Sequence, residues 1–76
     1  MFTFQVQIPF GVELKEVSLT KVVGIRESWY IYVDGIYQAA IRKVRDEWYI
    51  YPGEKNSINE KNLKRLLSII TGRDNE

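Results

Sequence analysis

The chain reads as an α+β protein, a meandering antiparallel sheet of four to five strands with one C-terminal helix packed on one face. Three observations predict this. Trp29-Tyr30-Ile31-Tyr32 and Trp48-Tyr49-Ile50-Tyr51 repeat nineteen residues apart, and aromatic and β-branched residues of this kind favour strands. Asp34-Gly35 stands between them and supplies the positive φ angles of a two-residue type I′ hairpin turn. Further on, Leu63, Leu66, Leu67 and Ile70 fall at i, i+3, i+4 and i+7, the apolar stripe of a surface helix.

The elements follow in chain order. Phe2, Phe4, Val6 and Ile8 alternate with Thr3, Gln5 and Gln7, which predicts a half-buried strand over 2–9 ending at Pro9, and Pro9-Phe10-Gly11 reads as a turn. The next strand, over 12–23, has a phase problem. Val12 and Leu14 share one parity, whereas Val17, Leu19 and Val23 have the other. A bulge near Lys15-Glu16 would restore the register, and two short strands with a loop between them would serve equally well.

After a connection at 24–27 come the strands 28–33 and 36–44. A regular two-residue hairpin sets Val33 opposite Ile36, Ile31 opposite Gln38 and Trp29 opposite Ala40 on one side of the sheet. Tyr30, Tyr32, Tyr37, Ala39 and Ile41 then occupy the other side. Arg45-Asp46-Glu47 leads into a strand over 48–52. A three-residue loop sets Trp48 and Ile50 on the Trp29 side, and a two-residue loop flips them, because the pleat has a period of two. The shared arrangement is favoured, with Trp29, Ile31, Val33, Ile36, Ala40, Val44, Trp48 and Ile50 forming the core. Arg42 fits this core badly: it either snorkels at an edge or signals a bulge.

Residues 53–57 are polar and contain Gly53, a loop composition. A helix over 60–71 follows, with Asn59 as its N-cap and Ile58 with Leu63 as a hydrophobic staple. Ser57 with Glu60 is a competing capping box. Gly72 is expected to end the helix, and 73–76 to fray. A helix this short needs a partner surface, and the tryptophan side of the sheet supplies one. The nineteen-residue echo is read as two strands meeting similar packing demands around a common neighbour, because true repeat arrays have longer units.

Seventy-six residues are expected to make a single domain, 1–76, with a formal charge of +1. That charge gives no global attraction for nucleic acid or an anionic membrane. The chain has no cysteine and no histidine. It therefore lacks thiolate chemistry, a disulfide framework and the commonest general base and transition-metal ligand. With no basic segment ahead of a long apolar run, a cytoplasmic location is expected. No apolar run reaches the roughly 18 residues of a membrane helix.

Glu13, Glu16, Glu27, Asp34, Asp46, Glu47, Glu54 and Glu60 are the carboxylates that acid–base chemistry would draw on. Turn, loop and helix-start roles account for them. No phosphate-binding glycine loop is present, and no histidine could activate a serine or threonine. The expectation is a non-enzyme without cofactor or metal.

The candidate site is the sheet side opposite the helix. One helix covers one face, which leaves Tyr30, Tyr32, Tyr37 and Tyr49, together with Tyr51, on the other. Lys43 is expected on that side, with Arg45 at the adjoining loop. Exposed aromatic patches mark contact surfaces. Tyrosine suits a contact with another protein or a second copy of the chain, since one end can be buried and the other wet. Mixed aromatic and basic surfaces can also stack single-stranded bases. The order of strands followed by a helix is similar to that of single-strand-binding transcriptional coactivator domains, and this resemblance implies such a ligand by fold analogy. The near-neutral charge opposes it. In a third reading the tyrosines are cross-strand packing with no ligand, in an open sheet or a small closed barrel.

Overall fold

The computed structural model describes residues 2–24 and 27–74, the side chains of 73 and 74 excepted. Five strands follow one another, β1 (Phe2–Phe10), β2 (Glu13–Val22), β3 (Ser28–Val33), β4 (Ile36–Val44) and β5 (Glu47–Pro52), before the helix α1 (Glu60–Asp74). The sheet order is β1-β2-β3-β4-β5, antiparallel throughout, so it is an open meander with β1 and β5 as its edges.

Three tight turns make the meander. Gly11 has φ +64° in the β1–β2 turn, and Phe10 pairs with Glu13 across it. Asp34 and Gly35 have φ 52° and 78°, the expected type I′ pattern. The β4–β5 turn is also type I′ in its angles, with φ 54° at Arg45 and 66° at Asp46, and Val44 pairs directly with Glu47. It is therefore a two-residue turn, not the expected three-residue loop.

The shorter turn leaves the tryptophans together all the same, because a second departure compensates for it. The β3–β4 register shifts between Ile31 and Tyr32: Tyr32 pairs with Tyr37, whereas Ile31 pairs with Ala39. Gln38 is the extra residue of a β-bulge. The bulge reverses the parity of β4 beyond it, and the two-residue turn reverses the parity of β5 again. Trp29, Ile41 and Ile50 therefore lie in one row across three strands.

Several expectations change as a result. Ala39 and Ile41 face the core, whereas Ala40, Arg42 and Val44 lie on the tyrosine side. Ile36 is exposed at the hairpin end. Gln38 is buried and anchored: its Oε1 accepts hydrogen bonds from Ser57 N at 2.7 Å and Ser57 Oγ at 3.0 Å, and its Nε2 donates to the Ile36 carbonyl at 3.2 Å. Ser57 is thus engaged here and not in a capping box.

β2 is one uninterrupted strand without the bulge considered near Lys15-Glu16; Leu14 and Val12 point to solvent, and Val17 and Leu19 are buried. Pro9 lies within β1, one residue before its end, which an edge strand tolerates. The buried cluster joins Ile8, Val17, Leu19, Trp29, Ile31, Val33, Ala39 and Ile41 of the sheet to Ile58, Leu63, Leu66 and Ile70. Phe2 and Phe4 meet the Trp29 ring edge to face, at centroid separations of 6.3 and 5.4 Å.

At the start of α1, Asn59 Oδ1 accepts from Asn62 N at 2.8 Å, and Ile58 and Leu63 are buried together, as the N-cap and staple require. Asn62 Nδ2 donates to the Pro9 carbonyl at 3.0 Å and fastens the helix to β1. Gly72 does not stop the helix, which continues to Asp74. The rest of the expected tail, 75–76, lies outside the described residues, as do 25 and 26 of the connection expected at 24–27.

Candidate functional site

The face opposite the helix is built from β3, β4 and β5. Tyr30 and Tyr32 come from β3, Tyr37 and Arg42 from β4, and Tyr49 and Tyr51 from β5. Register brings them together: Tyr32 pairs with Tyr37, the row Tyr30, Ala40, Tyr51 crosses all three strands, and Arg42 pairs with Tyr49. All four expected tyrosines share this face, with Tyr51 beside them.

The rings form two groups. Tyr37 lies 5.8 Å from Tyr32 and 6.2 Å from Tyr30, measured between centroids, in tilted to edge-on contact. Arg42 lies beyond this trio, its Cζ 6.0 Å from the Tyr30 ring and 5.5 Å from the Tyr51 ring. Its Nη2 also donates to Tyr30 Oη at 3.5 Å. Ala40, opposite both Tyr30 and Tyr51, has too small a side chain to separate these groups. Tyr37, Tyr49 and Tyr51 stay 38%, 43% and 44% exposed, which leaves an aromatic surface open to solvent.

Gly53 adds a constraint at one end. Its N donates to the Gln38 carbonyl at 2.8 Å, and a Cβ built on it would stand 2.9 Å from Tyr37 Cε2 and 3.1 Å from Gln38 O. The Tyr37 ring therefore rests against the Gly53 backbone. At the opposite end Val44, Arg45, Glu47, Tyr49 and Tyr51 line an open depression of about 460 Å³.

Two of the hydroxyls, those of Tyr37 and Tyr49, hold their protons more tightly than an ordinary phenol. Partial burial raises the Tyr37 pKa above the ordinary 10.0, with Arg42 opposing and Tyr30 and Tyr32 reinforcing. The Tyr49 pKa is raised too, chiefly because its hydroxyl donates to Glu47 Oε2 at 2.7 Å and that carboxylate disfavours a phenolate. At neutral pH Tyr37 and Tyr49 are phenols, able to donate or accept hydrogen bonds.

Lys43 does not belong to this face. The bulge at Gln38 moves it to the opposite side, where it pairs with Trp48 and its Nζ lies 5.7 Å from the Trp48 ring. Arg42 takes the place expected for Lys43. The signal for it was in the sequence: an arginine at a core position of a regular hairpin implies a shifted register. Glu47, holding the Tyr49 hydroxyl, was read only as a loop residue.

Among the described residues no group of three acidic, histidine or cysteine side chains could hold a metal ion. No helix among them is long and apolar enough to cross a membrane. No family model matches the chain, and neither a curated protein nor a solved structure matches it.

Proposed function

We propose that this chain is a non-catalytic interaction module whose tyrosine face is the contact surface for another protein molecule. The observation that carries this reading is the concentration of all five tyrosines of the sequence on the uncovered side of the sheet, with Arg42 held between two of them. Tyr, Trp and Arg are the residues that most often anchor protein interfaces, and Tyr buries a large area at a small cost in side-chain entropy. Rings braced against one another and against Gly53 are partly ordered before any partner arrives, which lowers that cost further.

The charge pattern favours protein over nucleic acid. With Lys43 on the other side, Arg42, Arg45 and Lys55 are the basic groups near the rings among the described residues, and Glu47 and Glu54 stand among them. A backbone-tracking groove needs a longer basic line. Retardation of a labelled single-stranded oligonucleotide at low salt tests the choice directly: none is expected. Salt-sensitive retardation that Arg42→Gln or Tyr37→Ser abolishes would overturn the protein reading.

A further inference from the structure

β1 is an edge strand of nine residues without a single ionisable side chain. Edge strands in soluble proteins are usually short, bulged or charged, so that they do not pair with another chain. β1 carries only Pro9, next to its end. The other edge, β5, has six residues, ends in Pro52 and includes Glu47.

The parity of the turn defines which groups of β1 are available. A two-residue hairpin closes on a hydrogen-bonded pair, here Phe10 with Glu13, and such pairs recur at every second residue. Phe10, Ile8, Val6, Phe4 and Phe2 therefore spend their N–H and C=O groups on β2. Thr3, Gln5, Gln7 and Pro9 direct theirs away from the sheet. Two features agree with this assignment: Pro9, which has no N–H to offer, sits at an outward position, and its outward carbonyl is the one that Asn62 Nδ2 caps. The open groups are those of Thr3, Gln5 and Gln7.

We propose that β1 pairs edge to edge with β1 of a second copy, antiparallel about a two-fold axis between the two Gln5 residues, making a continuous ten-stranded sheet. The sequence of the strand selects this occupant. Gln5 faces Gln5 of the partner subunit, and Thr3 faces Gln7 of the partner subunit on either side. All three open N–H and all three open C=O groups of each copy are then satisfied. A register shifted by two residues toward Pro9 wastes a pair on a residue with no N–H and a carbonyl already engaged. Two identical strands with no charge bring no like charges opposite one another. On the helix side, Phe4 meets Val6 of the partner subunit, and the 51% exposed Phe2 gains Ile8 of the partner subunit as a neighbour.

This pairing stands apart from the role proposed for the tyrosines. Its geometry adds one consequence that rests on that reading: a two-fold axis perpendicular to the sheet leaves both tyrosine faces on the same side, as a bivalent surface.

Sedimentation equilibrium of the whole chain, with amide hydrogen exchange at high and low concentration, tests the pairing. Expected is a species of twice the 9.0 kDa chain mass, with the Thr3, Gln5 and Gln7 amides slowed in the dimer. Gln5→Pro, which removes only an outward N–H, and Gln5→Lys, which sets two ammonium groups together, should each yield monomers with an unchanged far-ultraviolet circular dichroism spectrum. Gln5→Lys serves alone if the proline variant misfolds. Tyr32→Ser with Tyr37→Ser should remain dimeric, which separates failure of the edge from failure of the face. A wild-type monomer throughout, or a dimer that persists in Gln5→Lys, would overturn the proposal.

Discussion

One oxygen of Gln38 holds two groups of Ser57: Oε1 lies 2.7 Å from Ser57 N and 3.0 Å from Ser57 Oγ. The pair ties the bulge of β4 to the segment that leads into α1. The bulge itself determines which side chains of β4 join the tyrosines, so this contact links the fold to the candidate site. Gln38→Ala should remove the acceptor from Ser57, which is exposed enough for water to replace it, and cost about 0.5–1.5 kcal/mol, measured by urea denaturation. An unchanged midpoint would show that the bulge needs no side-chain anchor.

Gly53→Ala tests the close approach of backbone and ring. Nothing in the Gly53 backbone angle forbids alanine, so the effect is one of space. The new methyl forces either the Tyr37 ring or the Gln38 carbonyl to move, at about 1–3 kcal/mol. Combining it with Tyr37→Ala should recover part of the loss in a double-mutant cycle. Strict additivity would place the strain elsewhere.

In α1, Leu66 and Ile70 are fully buried and Leu67 only partly. Leu66→Ala is therefore expected to cost about 2–5 kcal/mol, and Leu67→Ala clearly less. Equal losses in denaturation would mean that the helix is rotated from this orientation.

The β4–β5 turn holds two non-glycine residues at positive φ. Replacing Arg45-Asp46 by Asn-Gly, the pair best suited to type I′, should stabilise the protein by about 1 kcal/mol, read as a higher thermal midpoint. No gain would argue against that turn type.

Tyr37 links stability to alkaline pH. Its pKa is raised in the folded protein, mainly by burial, so the folded state holds the phenolic proton more tightly than the unfolded chain. The contribution is complete below the ordinary tyrosine value of 10.0 and is lost as pH rises through the folded value. Stability should fall more steeply above pH 10 in the wild type than in Tyr37→Phe. Parallel stability curves would contradict this.

Local signals in the chain were enough for the strands and the helix. Asp34-Gly35, the N-cap Asn59 and the Leu63–Ile70 stripe each act within a few residues. The parity of β4 was not local. It depends on the bulge at Gln38, whose side chain is held by Ser57 nineteen residues away. The turn at Arg45-Asp46 lacked the glycine that marks a two-residue hairpin, so its length was misread. The two departures cancel for Trp48 and Ile50, but not for Lys43, whose expected place on the tyrosine face Arg42 occupies. Continuation of the helix through Gly72 is likewise a non-local outcome, since buried Ile70 holds the last turns in place.

The tyrosine face is the proposed contact surface for another protein. Site-specific photocrosslinking from positions 37 and 49, compared with Lys61 and Lys64 on the helix, in the cells that make the protein, tests it most directly. Expected are discrete protein adducts from positions 37 and 49, lost when Tyr30, Tyr32 and Tyr51 are changed to Ser, and none of comparable yield from the helix positions. Adducts of equal yield from both sides, or from the helix alone, would contradict it.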